Sequence, residues 1–187
     1  GHFTFASWAI IISVIFDGLD GQAARRNPIP SEFGKELDSL ADVVSFGIAP
    51  ASMGYFFIYG HFNFPATLIL FIYLISSVLR LAKYNVTPKE QLKHFFLGLP
   101  TTASGGTLAS FILVYKRYTQ MPPPAHFFQI LVLALAFLMV SKVPYPNLDG
   151  LKQLVTGNRL FILEIIFIPL IAVLVFFLFT HSMLPEL

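Results

Sequence analysis

The chain has 187 residues, 56% of them hydrophobic and 12% charged, with a formal net charge of +2 and a mean hydropathy of +0.73. A soluble domain carries about 25% charged residues, so this composition excludes an ordinary soluble globule and indicates one integral membrane domain over residues 1–187. Cysteine is absent, which excludes a disulfide framework, a thiol nucleophile and a cysteine metal site.

Six segments can cross a bilayer, which takes about twenty residues at 1.5 Å each. The first runs from Phe3 into the aspartates near Asp20. The second runs from Phe33 to Tyr59, with Pro50 expected to kink it. The third covers 64–84. The fourth runs from near Leu99 to near Tyr115, with the Gly98-Leu99-Pro100 stretch as its start. The fifth covers 124–141 and the sixth 160–179. Turn formers separate them, as in "RRNPIPS", "YGHFNF" and "QMPPP". No alternating ten-residue barrel repeat is present, and in lipid the backbone must satisfy its own hydrogen bonds. The expected fold is therefore an all-α polytopic bundle of six transmembrane helices. No signal peptide is visible, and the chain reads as cut at both ends.

Ten of the twelve Lys and Arg lie in the connections on one side. They are Arg25, Arg26 and Lys35; Arg80, Lys83, Lys89 and Lys93; and Lys142, Lys152 and Arg159. Only Lys116 and Arg117 lie opposite. The positive-inside rule makes the first side cytoplasmic.

Four aspartates lie toward that side. Asp17 and Asp20 are three apart, Asp38 and Asp42 four apart, so each pair shares a helix face. The intervening Pro28 and Pro30 force a hairpin, and all four carboxylates can converge. At a helix centre each would cost about 2.5–3.5 kcal/mol. Near the interface the cost falls, but mutual repulsion remains. Hard divalent cations such as Mg²⁺ or Mn²⁺ suit all-carboxylate oxygen ligands, and two of them balance four negative charges. Gly18, Gly21 and Gly34 allow close approach, and Arg25 adds a cation, a combination suited to a diphosphate. Asp42, the deepest, can stay outside the metal shell and accept a proton. An isolated Asp pair is more often a cap or a solvated helix end. Two pairs recurring with glycines and an arginine favour a site.

The stretch Asp17-x2-Asp20-Gly21-x2-Ala24-Arg25-x8-Gly34-x3-Asp38-x3-Asp42 resembles, without departure, the signature of the CDP-alcohol phosphatidyltransferases. "FGKELDSLADVVSFGIAPA", "LRLAKYN" and "GLP" are similar to the serine-using branch of that family. The resemblance weakens after about residue 105. It implies attack of the L-serine hydroxyl on CDP-diacylglycerol, giving phosphatidylserine and CMP. It also implies that Asp17, Asp20 and Asp38 hold two Mg²⁺ or Mn²⁺ ions. Asp42, counted with the metal-site carboxylates, would be the general base. Gly21, Ala24, Arg25 and Gly34 would line the nucleotide site. It implies one further membrane helix before the position of His2, expected to be missing from this chain. The expected setting is the cytoplasmic membrane of a prokaryote. A homodimer is expected, and no nucleic-acid partner.

Other residues keep two readings. Arg80, with Lys83 one turn on, either snorkels to the interface or binds the serine carboxylate or lipid phosphate. Ser45 and Asn85 either contact serine or act as a cap or packing polar group. Glu164 either pairs with Arg159 or faces a dimer or lipid-depth polar site. Glycerol phosphate or an inositol phosphate are alternative acceptors. A cation transporter is the alternative of another class, but it calls for midplane carboxylates and an inverted repeat, and no repeat is visible.

Overall fold

The computed structural model describes residues 2–26, 32–88, 95–119 and 123–146; side chains are described within these except at 22–26, 95, 96 and 146. The sixth expected span, Arg159 and Glu164 lie outside the described residues. The chain divides into two compact units, one of residues 1–87 with 97–143 and the other of 88–96 with 144–187.

The first unit is helical. Its elements are α1 (Phe3–Arg26), α2 (Glu32–Asp42), a π-helical segment (Val43–Ile48), α3 (Ala49–Ile58), α4 (Phe64–Val86), α5 (Thr101–Tyr118) and α6 (Ala125–Val140). The described part of the second unit contributes to a two-stranded ladder of β1 (Phe95–Leu97) and β2 (Pro144–Pro146).

Among the described residues, three stretches are long and apolar enough to cross a membrane: Phe3–Gly21, Glu32–Ile58 and Phe64–Val86. They correspond to the first three expected spans. The fourth and fifth coincide with α5 and with α6, a shorter apolar helix. Three of the six expected spans are thus present at membrane length among the described residues, two more coincide with shorter or less apolar helices, and the count of six is not established. α5 is less apolar for a physical reason: its Thr101, Ser104 and Gly105 are buried against protein rather than turned to lipid. Many large apolar side chains lie exposed on the other helices, Phe71 and Phe137 among them, as expected where lipid is the solvent.

Local chemistry explains the element ends. Asn63 caps α4, its Oδ1 accepting from the Ala66 N–H at 3.0 Å, with Pro65 in the first turn. Gly98, just before α5, has φ +82°, and a Cβ there would lie 2.3 Å from the Met139 carbonyl oxygen. Only glycine fits that backbone and that approach.

The π-segment is the sharpest departure from a simple kinked helix. Pro50 has no N–H to offer the carbonyl four residues earlier, that of Phe46. The Tyr73 hydroxyl donates to this carbonyl at 3.1 Å and lies 3.0 Å from Ser104 Oγ. Tyr73 and Ser104 are fully buried. α5 presses against the same turn, where a Cβ on Gly105 would come within 2.9 Å of Phe46 Cα. One carbonyl, freed by a proline, thus ties the second span to α4 and α5.

Tyr73→Phe leaves this carbonyl and Ser104 without the shared partner. It is expected to cost about 1–3 kcal/mol of stability. Thermal unfolding in detergent should show a lower midpoint for the variant; equal midpoints would make the tie dispensable.

Candidate active site

The carboxylates come from two helices. Asp17 and Asp20 ride on α1, Asp38 and Asp42 on α2. Asp17, Asp38 and Asp42 each offer an oxygen within 4.8 Å of the other two. Asp17 and Asp42 are half-buried and Asp38 is exposed. Asp20 is exposed one turn further along α1 and lies outside this trio. The hairpin expectation thus brings three of four carboxylates to one point.

Three such oxygens of like charge repel, and the partial burial strengthens the repulsion. An oxygen-only set at this spacing fits a hard divalent cation, which prefers carboxylate ligands and supplies the balancing charge. A Cβ on Gly18 or on Gly21 of α1 would meet nothing within 4 Å among the described residues. Gly34 is exposed on α2. The side chains of Ala24 and Arg25 lie outside the described residues.

Arg80, half-buried on α4, lies within electrostatic range of Asp17 and Asp42. Its Cζ sits 5.3 Å from the Tyr84 ring centroid, a cation–π approach that holds the guanidinium beside the site. Lys83 is exposed one turn on, and Ser45 is half-buried in the π-segment. The Asn85 amide is engaged with Ser39, its Nδ2 donating to Ser39 Oγ at 2.9 Å.

Several further polar residues have roles that spacing alone does not show. Tyr73 and Ser104 form the tie described above. The hydroxyls of Ser77 and Thr101 are buried without a hydrogen-bond partner among the described residues. Ser77 Oγ would lie 3.1 Å from a Cβ on Gly47 of the π-segment. Tyr73 and Ser77, four apart, and Thr101 and Ser104, three apart, among apolar residues were the available signal.

The model of the CDP-alcohol phosphatidyltransferase family matches residues 1–142. The chain belongs to that family. A Helicobacter pylori protein named CDP-diacylglycerol–serine O-phosphatidyltransferase is 34% identical over 173 residues, covering 92% of this chain and 72% of the relative. A Methanocaldococcus jannaschii protein of the same name is 36% identical over 139 residues, covering 74% of this chain and 62% of the relative. A Methanothermobacter thermautotrophicus archaetidylserine synthase is 32% identical over 153 residues, covering 81% and 62%. Two of these three names give serine, and the third names archaetidylserine.

If repulsion among the trio is a standing cost, neutralising one member should relieve it. In EDTA, Asp17→Asn is expected to raise stability by about 1–2 kcal/mol. The comparison is the thermal midpoint of variant and unsubstituted chain in chelator. A lower midpoint for the variant would mean that the carboxylates are not held under strain.

Proposed function

We propose that the chain transfers a phosphatidyl group from CDP-diacylglycerol to the hydroxyl of L-serine, releasing CMP and forming phosphatidylserine. The observation that carries this reading is the trio of carboxylates from α1 and α2, set within an unbroken family motif. The serine-named relatives support the acceptor.

In this reading Asp17, Asp20 and Asp38 hold two divalent cations, Mg²⁺ or Mn²⁺. When bound, these cations neutralise the diphosphate and the developing charge on the leaving CMP. Gly21, Ala24, Arg25 and Gly34 line the nucleotide. Glycine lets the diphosphate come close to the helix, and Arg25 offers a fork of N–H donors to its oxygens. Asp42 takes the proton from the serine hydroxyl. The serine oxygen forms its bond to the phosphorus bearing the diacylglycerol. The bond from that phosphorus to the CMP oxygen breaks, and CMP leaves with the electron pair. Arg80, with Lys83 beyond it, receives the serine carboxylate or the lipid phosphate, and Ser45 lies near the acceptor.

The setting is the cytoplasmic membrane of a prokaryote, with the aspartates facing the cytoplasm. Ten of the twelve Lys and Arg on that side support the orientation. Labelling of single cysteines beside Lys35 and beside Lys116 from outside intact cells tests it; labelling at Lys35 alone would reverse the orientation. A homodimer is part of the same reading, and native mass spectrometry that finds only monomer would remove it.

Three measurements address the chemistry. A panel of radiolabelled alcohols with CDP-diacylglycerol should show transfer to L-serine above glycerol phosphate and inositol phosphate. Preference for another alcohol overturns the acceptor. Arg80→Ala should raise the KM for serine or for the lipid with the fold intact. Unchanged kinetic constants for both would reduce Arg80 to an interfacial anchor.

The aspartates should separate by role. Loss of a general base typically lowers rate by about 10²–10⁴-fold. Asp42→Asn is expected to lose transfer by that order while keeping metal-dependent binding of a CDP ligand. Asp38→Asn should lose both. Calorimetric titration with and without Mg²⁺ reads the difference. Equal loss of nucleotide binding in the two variants would make Asp42 a metal ligand like the others.

A further inference from the structure

α2 carries two of the three clustered carboxylates, yet none of its residues is buried. Phe33, Leu37 and Leu40 on its apolar stripe are exposed, at 77%, 54% and 64%. Side-chain packing against protein therefore does little to fix where this helix lies. What holds it is polar. Lys35 Nζ donates to the Asn85 carbonyl at 3.0 Å, and Asn85 Nδ2 donates to Ser39 Oγ at 2.9 Å. Ser39 Oγ in turn donates to the Lys35 carbonyl at 3.1 Å. The three residues close a ring between α2 and the last turn of α4.

Each contact answers a specific need. The final carbonyls of a helix have no partner within it. At the end of α4, Thr87 N–H reaches the carbonyls of Lys83 and Tyr84, and the Asn85 carbonyl is left for Lys35. An ammonium there also faces the negative end of the helix dipole. The Ser39 hydroxyl has both its donor and an acceptor position used.

The spacing couples this ring to the site. Lys35 and Ser39 are four apart and share one strip of α2; Asp38 and Asp42 are each three residues on and share the neighbouring strip. Rolling or splaying α2 breaks the ring and carries both carboxylates away from Asp17. The other side of the ring sits on α4, one to two turns beyond Arg80. We infer that Lys35, Ser39 and Asn85 form a positioning clamp that sets α2 against α4 and so holds Asp38 at the distance from Asp17 that binding a divalent cation requires, with Asp42 beside them. The cation's presence rests on the function proposed above; the clamp's mechanical role does not.

The test uses the full chain in nanodiscs, without substrate, and two readouts. Hydrogen exchange over residues 32–42 in EDTA reports the clamp alone. Calorimetric titration with Mn²⁺ reports its consequence. A lost hydrogen bond of about 1 kcal/mol corresponds to about fivefold in a binding constant. Asn85→Ala and Ser39→Ala should exchange faster over α2 and bind Mn²⁺ about five- to tenfold more weakly, with the thermal midpoint unchanged. Ser39→Thr, which keeps the hydroxyl, should restore both. Unchanged exchange in Asn85→Ala and Ser39→Ala overturns the clamp. Faster exchange with unaltered Mn²⁺ affinity overturns its positioning role. Weaker binding matched by a fallen thermal midpoint, and not restored by Ser39→Thr, overturns it in favour of a general structural role. If the unsubstituted chain binds no Mn²⁺, the metal assignment fails, and exchange over α2 still decides whether the clamp exists.

Discussion

The aspartate end of the first unit depends on one carbonyl oxygen. Pro50 withholds the N–H that would have met the Phe46 carbonyl, and Tyr73 takes its place from α4. A hydrogen bond inside a dry helical bundle is hard to exchange for water, and leaving its buried partners unpaired costs about 1–3 kcal/mol. The second span is thereby fixed to α4 at one level. Gly105 lets α5 approach the same turn at backbone contact. The π-segment also resets the rotation of the chain between α3 and α2, because a residue is added to the turn. Asp42 is the last residue before that reset, so its direction follows from it.

Below this pinned level the character of the structure changes. α3, α4, α5 and α6 bury side chains against one another, whereas α2 buries none. The helix that carries Asp38 and Asp42 is held by polar contacts at its edge and by its covalent continuation into the π-segment. This division suits the chemistry. Carboxylates meeting in a tightly packed core would face a large desolvation cost. Placed on an unburied helix at the rim of a rigid bundle, they can meet one another and still reach an incoming cation and diphosphate. Gly18 fits the same logic, since among the described residues no atom lies within 4 Å of where its Cβ would be.

Much of this was legible in the sequence. Apolar runs placed the first three spans within a few residues of their ends, because a membrane allows few alternatives to a helix of a set length. The i, i+3 and i, i+4 spacings put Asp17 with Asp20 and Asp38 with Asp42 on common faces, since helix geometry fixes which residues are neighbours on one helix. Two prolines between the pairs marked a break in the helix there; that connection lies outside the described residues. The unbroken motif gave the family, which the match over residues 1–142 bears out.

Tertiary structure decided what depends on contacts between helices. Spacing along one helix cannot say that Asp20 stands outside the trio, because that follows from how α1 and α2 approach. It cannot distinguish a proline kink from a π-segment, nor show that a distant hydroxyl, here that of Tyr73, donates to the freed carbonyl. Asn85 reads from the sequence more readily as a cap or packing polar group than as a ligand, but only the fold puts its amide on Ser39, forty-six residues away in the chain. Helix faces are local and short-ranged, so the sequence by itself determined them. Which faces meet is set by close packing and by the pairing of buried polar groups across the bundle, and only the folded chain brings those groups together.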